Sequence, residues 1–262
     1  MTQNEQEVQS FFFNLVSGEV SLKRPAECPF VIPKYDDIMK LINSASIKVD
    51  RNKLLSDVFE CGAIAISNKF DLPQAEEREK RYLEIINKYQ QKERELIAEI
   101  FGNVFALLTS VTYDDGRFND WLGKIFMESS AGNSGSGQFF TPYHMSHLMA
   151  EIALEKDVVE EKKKSDGILE LYEPCCGSGG MMMASLEVLK NRYGFNYARN
   201  CFIVAEDIDL RCVHMCYLQL SLAGVPAIIK HQNTLTREKW SIWKTPAFIM
   251  QYLRFRKYEQ CN

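Results

Sequence analysis

Apolar residues recur at helical spacing through the first half of the chain and collect into short, strand-length runs in the second half. Between Ala75 and Ser110 the positions Tyr82, Ile85, Ile86, Tyr89, Leu96, Ile97, Ile100, Phe101 and Val104 are apolar with charges between them, the stripe by which a helix faces a core. A shorter helical stretch runs from Leu54 to Asn68, divided from the first by Asp71 and Pro73. Later the period changes. Ile168, Leu169, Leu171 and Tyr172 form one strand-length run, Cys201 to Ala205 a second, Ala227 to His231 a third, and Trp240 to Trp243 a fourth. Helical segments, Met181 to Leu189 and Arg211 to Ala223, separate the first three, and Gly224 and Pro226 stop the latter. Such alternation predicts an α/β protein, with a mainly helical region over residues 1–128 and a strand-and-helix domain over 129–262.

The turn between the first strand and its helix is Glu173-Pro174-Cys175-Cys176-Gly177-Ser178-Gly179-Gly180. Glycines there let backbone N–H groups and the positive helix end approach a ligand without Cβ interference. No Lys-Ser/Thr follows them, which excludes the phosphate loop of an NTPase, and the spacing misses the dinucleotide fingerprint. The alternative is a glycine turn used only for packing. The second strand ends in Glu206-Asp207, and an acidic residue at that tip is placed to accept hydrogen bonds from ribose hydroxyls. Upstream, Gly137-Gln138-Phe139-Phe140-Thr141-Pro142 precedes a helix, with Pro142 as first helical residue and Thr141 as its cap.

The two glycine segments, in this order, resemble the cofactor-binding half of adenine-specific DNA methyltransferases, especially the modification subunit of type I restriction systems. Asp120-Trp121-Leu122-Gly123-Lys124-Ile125-Phe126 resembles the run that precedes the first segment in that family, so the likeness covers roughly residues 115 to 248. The resemblance implies a Rossmann-like methyltransferase domain that binds S-adenosylmethionine and transfers its methyl group to adenine in DNA. It implies cofactor contacts from Gln138, Phe139, Phe140, Thr141, Pro142, Glu173, Pro174, Gly177, Ser178 and Gly179. Asp207, with Glu206 as the near alternative, falls in the ribose slot, and Asn233 stands where the family has an Asp beside the cofactor's adenine. Phe139 or Phe140 would cover the sulfonium as a ring covers a cation. The family's base-clamping motif, Asn/Asp-Pro-Pro-Tyr/Phe, has only Thr245-Pro246-Ala247-Phe248 as its counterpart. Phe248 would stack on a flipped adenine and Thr245 would accept one hydrogen bond, although Thr lacks the planar acceptor. The chain is expected to stop after its fourth strand, short of a complete sheet of this class. A non-catalytic cofactor-binding or accessory subunit is the alternative. A specificity-type subunit, or self-association, would then cover the open sheet.

Composition narrows the picture further. The chain has 262 residues, 46% hydrophobic and 25% charged, with a formal net charge of −4. That charge offers no general attraction to a phosphate backbone, although Arg254, Arg256 and Lys257 form a local basic patch. The first ten residues are polar rather than a signal sequence, and no apolar run is read as membrane-spanning, so a cytoplasmic protein is expected. Eight cysteines occur without any Cys-x-x-Cys pair, which predicts reduced thiols and no metal site. The join from Ser129 to Gly137, rich in Ser, Gly and Asn, is expected to be a mobile loop over the pocket, and Lys162 to Lys164 a solvated turn.

Overall fold

The computed structural model describes residues 32–45, 50–112, 118–130 and 140–260. The helical part comprises α1 (Tyr35–Ser44), α2 (Arg51–Phe70), α3 (Leu72–Ile86), α4 (Gln91–Thr109) and α5 (Trp121–Ser130). Local chemistry sets where these helices begin. The Asp50 carboxylate accepts from the N–H groups of Asn52 and Lys53 and so caps α2. The single stretch expected from Ala75 to Ser110 is instead α3 and α4, because Gln90 and Glu93 form a capping box that opens a new helix. α4 and the short turn after it, residues 91–112, are long and apolar enough to cross a membrane by those two criteria, contrary to the expectation of no such run. Half of that stretch is buried inside the molecule, and Ile97, Ile100, Val104 and Leu107 join the common core.

After α6 (Tyr143–Ala153) and α7 (Lys156–Lys164), the second half alternates β1 (Leu169–Glu173), α8 (Gly180–Asn191), α9 (Tyr197–Asn200), β2 (Cys201–Asp207), α10 (Leu210–Leu222) and β3 (Ala227–Gln232). It closes with β4 (Lys239–Lys244), α11 (Pro246–Met250) and α12 (Tyr252–Gln260). Lys162 to Lys164 form the last turn of α7, where positive charge suits the helix dipole, and Lys163 Nζ donates to the Tyr193 carbonyl at 2.6 Å. The strands make one mixed sheet in the order β1-β2-β3-β4. β1, β2 and β3 are parallel, and β4 runs antiparallel to β3, with Lys244 opposite Ile228 and Lys239 opposite Gln232.

Side chains alternate across this sheet and feed two cores. Ile203, Ala205 and Ile229 belong to the large core that also contains α8, α10 and the buried faces of α1, α2 and α4. Phe202, Val204 and Ile228 point the other way, against Phe248 of α11 and Phe255 of α12. Arg78 ties the helical part to the sheet margin. Its guanidinium pairs with Asp71 at 3.0 Å, donates to the Ile242 carbonyl at 2.8 Å and lies 4.0 Å over the Trp243 ring.

Candidate cofactor pocket

The carboxyl ends of β1 and β2 open into a cavity of about 610 Å³, walled by the glycine turn, the start of α6 and the tip of β2. Gly177 and Gly179 have φ of +53° and +97°, values that side-chain-bearing residues rarely adopt. The turn is laid across the end of β2 by two bonds: Cys176 N–H donates to the Glu206 carbonyl at 2.8 Å, and Gly177 N–H to Asp207 Oδ2 at 2.8 Å. A Cβ on Gly177 would meet the Phe140 ring at 3.1 Å, so the glycine and the ring face one another closely. Phe140 rests in turn on Phe126 of α5, with ring centroids 6.2 Å apart.

The lining is acidic. Asp120, Glu173, Asp207 and Asp209 all border the cavity. Burial pushes the Glu173 and Asp120 carboxyls above the usual carboxylate range. Asp207 Oδ1 accepts from the Asp209 N–H at 2.8 Å, which leaves each of its oxygens a further lone pair for a ligand hydroxyl. A left-handed glycine turn at the carboxyl ends of parallel strands, beside an acceptor at the tip of β2, suits a ligand that carries hydroxyl donors. Ser146 adds an orphan hydroxyl: it lines the cavity, is 1% exposed, and its Oγ has no hydrogen-bond partner.

The structure brings together Phe140, Thr141, Glu173, Gly177, Ser178 and Asp207. Gln138 and Phe139 lie outside the described residues, as does the loop from 131 to 137. Pro142 occupies the position before the first helical residue, Tyr143, and Thr141 does not cap α6. The Pro174 carbonyl is taken by Thr234 Oγ1 at 2.7 Å. Glu206 points to the opposite sheet face, since its neighbour Asp207 faces the cavity, and there it contacts Lys230 at 3.5 Å and Thr234 at 3.0 Å. Asn233 is corrected as well. Its side-chain oxygen accepts from the N–H groups of Leu235 and Thr236, so both lone pairs serve the turn between β3 and β4.

The base-clamping role expected for Thr245, Pro246 and Phe248 also meets a correction. Because β4 is antiparallel, its last residue, Lys244, pairs with Ile228 near the start of β3, at the opposite end of the sheet from the cavity. Thr245 is fully buried, donates to the Val225 carbonyl at 2.8 Å and accepts from Ala227 N–H at 2.9 Å. Pro246 opens α11, and Phe248 is fully buried against Phe202 with ring centroids 5.8 Å apart. Neither side chain is open to a base. Conversely, Asp120, Ser146 and Asp209 border the cavity without having been assigned to it; the Asp-x-Leu-Gly run marked Asp120, whereas nothing local marked Ser146. Cys175 is exposed at the cavity, while Cys61, Cys176, Cys201, Cys212 and Cys216 are buried thiols.

The chain is similar to two methylase subunits of type I restriction enzymes. The methylase subunit of the type I restriction enzyme MpnII from Mycoplasma pneumoniae is 24% identical over 220 residues, 79% of this chain and 38% of that protein. The methylase subunit of the type I restriction enzyme MjaIX from Methanocaldococcus jannaschii is 24% identical over 163 residues, 61% of this chain and 24% of that protein. The chain thus spans less than half the length of either relative. The sequence model of the family described as N-6 DNA Methylase matches residues 117–259, a span that holds the glycine turn, the acidic cavity and every strand of the sheet. On that match, over more than half of its length, the chain belongs to the N-6 DNA methylase family.

Proposed function

We propose that this chain binds S-adenosylmethionine in the acidic cavity and forms the cofactor-binding part of an adenine-specific DNA methyltransferase of a type I restriction-modification system. The carrying observation is the convergence of Phe140, the left-handed glycine turn and Asp207 on one cavity at the carboxyl ends of parallel strands. In this reading the sheet is the Rossmann-like half of a methyltransferase, with fewer strands than a complete one. When bound, S-adenosylmethionine supplies an electrophilic methyl on a sulfonium. The residues of this chain bind and shield it. Asp207 would accept from the ribose hydroxyls, and Phe140 would cover the cationic end. The positive end of α6 suits a carboxylate.

Titration calorimetry with S-adenosylmethionine and its demethylated product tests the reading. Saturable heat is expected, and Asp207→Ala should weaken it by about 1–3 kcal/mol, the scale for a polar ligand group left unpaired. No heat at millimolar ligand from demonstrably folded protein overturns it.

A specific observation favours a second reading of the catalytic step. No base clamp borders the cavity among the described residues, because Thr245 to Phe248 lie at the far end of the sheet. In that reading the chain contributes cofactor and fold, and another chain contributes the clamp, the DNA contacts and the sequence specificity. β1 is an edge strand among the described residues, with its own Glu170 and Tyr172 side chains exposed, and it is the natural place for such a partner to pair. Labelled-methyl incorporation into DNA, with the chain alone and with a specificity-type subunit, separates the two. We place this assembly in the cytoplasm, where its thiols stay reduced.

A further inference from the structure

Asp120 sits just before α5 and is 5% exposed, yet its carboxyl gathers donors from widely separated parts of the chain. Oδ1 accepts from the Gly123 N–H at 3.0 Å and from Gln219 Nε2 of α10 at 2.8 Å. Oδ2 accepts from Ser178 Oγ of the glycine turn at 2.5 Å. Gln219 Nε2 closes the ring by donating also to the Ser178 carbonyl at 2.8 Å. These donors are all neutral, and burial holds the carboxyl toward its protonated form. Capping α5 does not need such a group, since an exposed Ser or Asn caps a helix without burying an acid.

The glycines around it point the same way. A Cβ on Gly123 would fall 2.2 Å from Asp120 Oδ2, and a Cβ on Gly180 would fall 2.8 Å from the same atom. The backbones of α5 and α8 therefore close on the carboxyl from two sides, and only glycine leaves it room. From this point α5 carries Phe126, which supports Phe140 above Gly177.

We propose that Asp120 is a positioning residue: through Ser178 and Gln219 it locks the glycine turn to α5, and so sets the placement of Gly177 against Phe140 in the wall of the cavity that a ligand would occupy. For the identity of that ligand the inference rests on the cofactor reading above. For the lock itself it does not.

The test uses the full chain as parent, Asp120→Ala, Asp120→Asn and Ser178→Ala, with two readouts: amide exchange by NMR, and calorimetry with the demethylated cofactor. In Asp120→Ala, the amides of Gly177 and Gly179 should exchange about tenfold faster or more while those of Ile203 and Ile229 stay protected, the pattern of local rather than global opening. Ligand affinity should fall by about tenfold, a coupling of roughly 1.4 kcal/mol. Asp120→Asn keeps an acceptor for Gly123 and Gln219 and offers its amide to Ser178 Oγ, so it should stay near the parent in both readouts. Ser178→Ala should shift both in the direction of Asp120→Ala, with a smaller effect. Unchanged exchange at Gly177 and Gly179 in Asp120→Ala overturns the proposal, as does loss of protection spread evenly over the sheet in Ser178→Ala. A parent that binds no ligand but shows the localised exchange change removes the cofactor reading and leaves the lock standing.

Discussion

Ser146 and His214 are buried polar side chains whose surroundings make opposite demands. The Ser146 hydroxyl lines the cavity without a partner, and an orphan of that kind costs about 1–3 kcal/mol of stability. Ser146→Ala should therefore raise the melting temperature of the free protein while lowering its affinity for the cofactor. A substitution that lowered both would make Ser146 a packing residue only, and parallel calorimetry and thermal melts distinguish the two. His214 is buried within α10, edge-on to Trp243 at 4.8 Å, and burial drives its pKa down to about 3. Its folded value lies below the ordinary unfolded value of about 6.5. It therefore favours folding fully above about pH 6.5, and that contribution drains away as pH falls toward about 3. His231, Arg78 and Arg81 add to the depression and Asp209 opposes it. His214→Gln should flatten stability over that window, which denaturant melts at stepped pH would show. An unaltered slope would assign the acid sensitivity elsewhere.

At the scale of elements, the direction of β4 governs what α11 can do. The strand returns antiparallel, Thr245 caps α11, and Phe248 enters the smaller core with Phe202 and Phe255. Phe248→Ala should cost about 3–5 kcal/mol of stability, as large-to-small core changes do. The affinity of the surviving folded protein for cofactor should be that of the parent. Urea melts paired with calorimetry below the transition check this. A stable Phe248→Ala protein with lost DNA methylation would return this segment to the catalytic site.

At the scale of the whole molecule, α6 presents an exposed apolar face among the described residues. α6 buries Ala150 but leaves Met145, Leu148, Met149 and Ile152 outward, Leu148 at 52% and Ile152 at 73% exposure. Their spacing is that of an anchor stripe for a partner chain. A large apolar patch of this kind marks an interaction surface more often than bare solvent contact. We expect Leu148→Glu with Ile152→Glu to abolish association, followed by sedimentation velocity with the chain alone and mixed with a specificity-type subunit. A parent that stays monomeric in both mixtures removes the stripe as an interface.

Much of this was legible in residue order because it depends on local rules. The helical period within α3 and within α4, the strand runs at Leu169, Cys201 and Ala227, and the glycine turn all follow from side-chain period and from backbone angles that neighbours impose, although the period did not show the break between the two helices. Asp207 was readable for the same reason, since a strand tip after a glycine turn is a local address. The antiparallel return of β4 was also within reach: residues 233–238 are too few for the crossover that a parallel partner requires. That turn is what consumes Asn233 and carries Thr245 away from the cavity. What only the tertiary structure decided is which buried polar groups meet. Asp120, Ser178 and Gln219 are separated in sequence by 58 and 41 residues, and no periodicity encodes their contact. Burial removes water as the alternative partner, so each such group must find its mate through packing. Among the described residues, Ser146 is the buried polar group at this cavity left without a partner.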